Sequence, residues 1–191
     1  DVCSSDLVSN DSSLGASSAG TTISAGAVNI SGTSLSIAEP FNVSGTGIST
    51  AGAIRNVSGS GSNTISGAIT LGADSSIASD AGTLTFDVSS GNAFSGTYGL
   101  TFAGVGDTAV ADPIATGTGT LTKSGSGTLT LSAANTYTGV TQISTGMVML
   151  SGSGRLSDTT AVTVNTGATF DLNDVTDTVG SIAGAGAITL G

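Results

Sequence analysis

The side chains that could carry chemistry in this chain are mainly acids, amides and hydroxyls, because basic residues are few and histidine is absent. The densest oxygen-ligand cluster is Asp171, Asn173, Asp174 and Asp177. Calcium takes six to eight oxygens held in tight turns. Neither an EF-hand loop nor a repeated Gly-Gly-x-Gly-x-Asp pattern accompanies the cluster, so these residues read as solvated bends and no metal ligand is assigned. Asp87, Asp107 and Asp112 are the other acids near a possible groove in the middle of the chain. Glycoside hydrolysis needs two carboxylates roughly 5–10 Å apart, and the spacing of these three selects no pair. No catalytic residue follows, and no cofactor.

Other side chains have weaker claims. Tyr98 and Tyr137 could stack on the apolar faces of sugars, although a packing role at a corner suits Tyr137 better, with Asn135 bonding backbone at the bend. Thr83 with Thr85, Thr120 with Thr122 and Thr128 with Thr130 could form a flat array that orders water, yet the pairs are separated by 37 and 8 residues. Lys123 and Arg155 are expected to snorkel across an apolar step or to pair with Asp158. Met147 and Met149 are expected on an outward face, as a possible contact patch. Asn10, Asn29, Asn42 and Asn56 each begin an N-x-S/T triplet, a match expected by chance in a chain this rich in Ser and Thr. Cys3 is expected to be inert or a capping residue.

The composition narrows the function further. With 191 residues, no His and a single Cys, the chain has no histidine base, no His-bearing zinc site and no internal disulfide framework. Three basic residues against 13 acidic ones give a net charge of −10, which repels nucleic acid and anionic membranes. Large apolar residues are too sparse for a thick two-layer core. Disorder fits no better, since charged residues are 8% and mean hydropathy is +0.35. A thin repetitive fold remains.

Periodicity supplies that fold. A glycine followed by two apolar residues separated by a polar one recurs at Gly26, Val28 and Ile30, at Gly67, Ile69 and Leu71, and at Gly82, Leu84 and Phe86. It returns at Gly127, Leu129 and Leu131, at Gly146, Val148 and Leu150, and at Gly186, Ile188 and Leu190. Alternation with period two is strand chemistry, and the glycine turns the chain before each strand. Gly127, Gly146, Gly167 and Gly186 stand 19, 21 and 19 residues apart. Short strands at this interval predict an all-β fold, a parallel β-helix of about 20 residues per coil, each coil of three strands and three bends. Val28, Ile30, Leu84, Phe86, Leu129, Leu131, Val148, Leu150, Phe170, Leu172, Ile188 and Leu190 should point inward and stack about 4.8 Å apart. About nine coils would give a rod of roughly 40–45 Å. Residues 1–19 read as a cap or linker, 20–118 as divergent coils with a loop near 104–117 around Pro113 and a bend at Pro40, and 119–191 as regular coils.

Lys123, Gly125, Gly127, Leu129 and Leu131, then Asn135, Tyr137 and Gly139, then Gly146 opening another strand, resemble the passenger-associated repeat of bacterial autotransporters. The continuation through Ala161–Val164, Gly167, Phe170, Leu172, Ile182 and Gly186 is similar to the usual sequel of that repeat. The resemblance implies a right-handed β-helix, exported through the outer membrane of a Gram-negative cell and displayed on its surface or secreted. It implies a structural stalk or adhesive segment rather than an enzyme. Host-surface, carbohydrate or self-association contacts are implied, with native continuation into further coils or a membrane translocator, and no nucleic acid. The chain shows neither a signal peptide nor barrel strands with aromatic girdles, which suits a processed or excised piece whose end at Gly191 is an open edge. An ice-binding solenoid and a carbohydrate-active β-helix are the alternatives.

Overall fold

A computed structural model describes residues 4–14, 20–57 and 59–191. The alternating segments form short parallel strands that wind into a β-solenoid of about nine coils with about 21 residues in each. Three faces make up the wall. One runs from Ser5–Val8 through Ala27–Ile30, Ile54–Asn56, Leu100–Ala103, Leu121–Lys123, Thr141–Ile143 and Ala161–Val164 to Ser181–Gly184. The second runs from Ser36–Ile37 through Asn63–Ile65, Thr83–Phe86, Asp107–Val110, Thr128–Leu131, Met147–Leu150 and Thr169–Asp171 to Ala187–Thr189. Thr21–Ile23, Phe41–Gly45, Phe94–Ser95 and Ile114–Ala115 build the third, extended by a bridge between Ala134 and Arg155. The longer strand Ile69–Ser79 serves two faces: Ile69 pairs with Phe41 on the third, and Ile77 with Ile54 on the first.

Such short strands gain little alone, so cohesion comes from stacking. Inward residues align coil over coil. On the first face the file is Val28, Ile54, Ile77, Phe102, Lys123, Ile143 and Val164. On the second it is Ile37, Ile65, Phe86, Val110, Leu131 and Leu150. One phenylalanine from each face fills the middle of the rod. The ring of Phe94 lies 4.7 Å from Phe86 and 5.5 Å from Phe102, and Phe86 and Phe102 are 6.3 Å apart. Rings at these separations gain edge and tilted contacts beyond simple burial.

Glycine sets the spacing where bends stack. Gly146 has φ 73, and a Cβ there would stand 2.5 Å from the carbonyl oxygens of both Gly125 and Gly127. A side chain at this corner would push the coils apart.

Of the residues expected inside, Val28, Ile30, Leu84, Phe86, Leu129, Leu131, Val148, Leu150 and Phe170 are buried. Leu172 is only half-buried, and Ile188 and Leu190 are 44% and 70% exposed. Ala187–Thr189 is the last strand of its face in the structure and pairs on one side, with Thr169–Asp171. The stretch 104–117 also differs from expectation. It holds the strands Asp107–Val110 and Ile114–Ala115, and the Pro113 carbonyl accepts from Ala93 N at 3.0 Å. A proline keeps its acceptor, and that half of the ladder suffices here. Within the segment 1–19, Ser5–Val8 is already wall, paired in parallel with Ala27–Ile30. Cys3 and residues 15–19 lie outside the described residues.

Candidate functional site

The acids that could have formed an active pair hold the stack instead. Asp107 Oδ1 accepts from Thr128 N at 2.8 Å, one coil later, and Asp112 Oδ2 accepts from Val88 N at 2.7 Å, one coil earlier. The two therefore work in opposite directions along the axis. Asp87 is exposed. The same device recurs where Asp11 receives Ser36 N at 2.8 Å, Asp74 receives Gly99 N at 2.7 Å and Asp177 receives Leu156 N at 3.0 Å. Bends and strand ends leave N–H groups without a ladder partner, and a carboxylate on the adjacent coil supplies one.

The calcium candidates serve a corner. Asp171 Oδ1 receives Asn173 N at 3.0 Å, and Asn173 Nδ2 donates to Leu150 O at 3.2 Å. Asn173 and Asp174 adopt φ of 46 and 60, a conformation that Asn and Asp tolerate better than most residues. Among the described residues no three acids or thiols group so as to hold a metal ion.

The polar interior is what sequence reasoning missed. Lys123 is 2% exposed, in register with Phe102 on one side and Ile143 on the other. It neither snorkels nor pairs with Asp158. Its Nζ donates to Gly125 O at 2.7 Å and Ser124 O at 3.2 Å. Burial lowers its pKa from 10.5 to about 8, against an opposing pull from Asp107. Arg155 donates to Gly154 O at 2.6 Å, and the ion pair found among the described residues joins Arg55 to Asp80.

Tyr137 packs inside, as its place in the repeat suggests, with its phenol 2.8 Å from Thr141 Oγ1. Burial drives the phenol pKa far above its ordinary value. Thr141 occupies an inward position between Leu121 and Val162, where its hydroxyl would be costly without the tyrosine. Asn135 bonds Ala133 O at 3.0 Å in its own bend and also reaches both adjacent coils. A buried amide pair joins Asn63 Nδ2 to Asn56 Oδ1 at 2.8 Å, so the triplet at Asn56 is sealed inside the wall.

The outer surface is shallow. Tyr98 is 42% exposed, apart from the buried Tyr137, so the two rings do not form one sugar platform. Met147 and Met149 face outward but are half-buried. The outward file on the second face reads Thr64, Thr85, Ala109, Thr130, Met149 and Asp171, which breaks the threonine array. A cavity of about 260 Å³ lies beside the turn Ile48–Thr50, lined in part by Asn29, Ile48, Ser49 and Arg55. Another of about 350 Å³ lies at the far corner beside Leu172, Asp174, Asp177 and Leu190.

Apolar files sealed by parallel ladders, with corner acids bonded from coil to coil, define a parallel β-solenoid. Within it, residues 121–150 match the passenger-associated-transport-repeat family, and the solenoid around them has a form consistent with an autotransporter passenger. The match spans Lys123, Gly125, Gly127, Tyr137, Thr141 and Gly146, the residues whose interior and corner roles are described above. Searches among curated proteins and among solved structures gave no match.

Proposed function

We propose that this chain is a rod segment of a passenger exported through a bacterial outer membrane and either displayed on the cell surface or released. Its task is structural, with no reaction of its own. The observation that carries this reading is the engagement of the mid-chain acids: Asp107 and Asp112 are bonded to backbone N–H groups of different coils, and neither converges on a shared substrate position. A general acid and base need a common reacting bond. The shallow outer wall, with its half-buried methionines and interrupted threonine file, also suits a spacer.

The test is adhesion of cells displaying the parent protein with and without residues 20–191, at matched surface level. A spacer leaves adhesion intact when an unrelated rod of equal length replaces the segment. Loss of adhesion despite that replacement would make the segment a contact surface, with the cavity beside Arg55 and the exposed Tyr98 as the first positions to alter.

A further inference from the structure

Lys123 is the only lysine in the chain, and it stands in the inward file of the first face rather than on the surface. Its surroundings have room for two N–H donors. Nζ is bonded to the carbonyls of Ser124 and Gly125, and among the described residues it makes no third hydrogen bond. An ammonium carries three donors and a full charge; a neutral amine carries two, which is the number accepted here. The roof is the next coil, since a Cβ on Gly146 would stand 3.1 Å from Nζ. The strands paired with its own, Leu100–Ala103 and Thr141–Ile143, contain no ionisable residue. The charge felt at the amine is that of Asp107, on Asp107–Val110. Asp107 already accepts Thr128 N.

We propose that Lys123 is a proton-operated latch between the coil of residues 121–131 and the coil of residues 141–150. Closed, the amine keeps its proton only below about pH 8 and is held as a neutral group above it; when the overlying coil lifts it regains its water and its ordinary affinity for the proton. The junction therefore closes harder as pH rises from 7 toward 9. The sign follows from linkage: the open coil binds the proton with ordinary lysine affinity, near 10.5, and the closed one only below about 8. Between those limits the open state holds more protons, so raising the pH favours closure. The ratio of closed to open rises about tenfold from pH 7 to pH 9 and is nearly flat from pH 6 to pH 7.

Two measurements on the whole chain test this. Amide hydrogen exchange over Thr141–Ile143 and Met147–Leu150, corrected for intrinsic rates, should show protection rising about tenfold between pH 7 and pH 9. The rise should vanish in Lys123→Met, which has no titrating group, and in Lys123→Arg, which stays charged throughout. The Nζ resonance of the lone lysine should titrate with a midpoint near 8. Unchanged protection in the wild type, an equal rise in Lys123→Met, or an Nζ midpoint near 10.5 would each overturn the latch. If Lys123→Arg does not fold, the methionine variant and the wild-type resonance still decide it.

Discussion

The phenol oxygen of Tyr137 and the hydroxyl oxygen of Thr141 meet at 2.8 Å, both in side chains with no exposed surface. Each satisfies a polar atom that the other's removal would strand. Thr141→Val should cost about 1–3 kcal/mol, because the phenol is left buried without a partner. Tyr137→Phe should cost less than the loss of a whole ring and strand the threonine instead. The double variant should recover much of the sum, since replacing both polar atoms by apolar ones removes the desolvation penalty. A double-mutant cycle of urea unfolding checks this, and strictly additive losses would show that the contact does not couple the two residues.

Corner glycines should divide into two kinds. A Cβ on Gly139 would stand 2.1 Å from Gly119 O in the adjacent coil, whereas one on Gly152 meets nothing within 4 Å. Gly152→Ala bears only the strain of φ 58, about 1–2 kcal/mol. Gly139→Ala must spread two coils and should cost more than about 3 kcal/mol. Thermal unfolding of the two variants should rank them so. Equal losses would mean that the neighbouring coil yields readily to a Cβ at Gly139, and that coil spacing does not demand glycine there.

The carboxylate caps predict a local effect. Asp74 Oδ1 receives Gly99 N at 2.7 Å, across 25 residues of chain. Asp74→Ala should cost about 1 kcal/mol and raise hydrogen exchange at the Gly99 amide while distant coils keep their protection. Asp74→Asn retains an acceptor oxygen and should restore most of that protection. A uniform rise along the rod would contradict a cap that acts on one junction.

The strand pattern is legible in the sequence because alternation acts over neighbouring residues: Leu129 and Leu131, like Leu84 and Phe86, are inward by period alone. What depends on a partner a coil away is not legible. Lys123 reads as surface from its charge, and only the backbone carbonyls of the bend and the roof at Gly146 explain its burial. Asp107 and Asp112 read as loop acids that select no catalytic pair, and only their bonds to Thr128 and Val88 in other coils reveal them as braces. Pro113 reads as a break, yet its carbonyl still joins the ladder. Ile188 and Leu190 follow the inward pattern, but pattern alone does not tell whether another coil covers them. The repeat family is legible, by contrast, because Tyr137, Gly139 and Gly146 must keep fixed distances along the chain to meet their neighbours.

Asn135 receives Ile114 N at 3.0 Å and donates to Arg155 O at 2.8 Å, partners 21 residues before it and 20 after. An amide tied at both ends makes circumference a quantised property of the chain. One added residue on either side would rotate every later position against this tie, whereas a complete extra circuit would leave it undisturbed. Surplus length that is not a whole circuit has to be thrown outward and the chain pinched shut behind it. That is what happens at Thr46–Gly52, where Gly52 N returns to Thr46 O at 2.9 Å. Chains of this type can therefore lengthen by copying turns or by growing loops at the corners, and by little else.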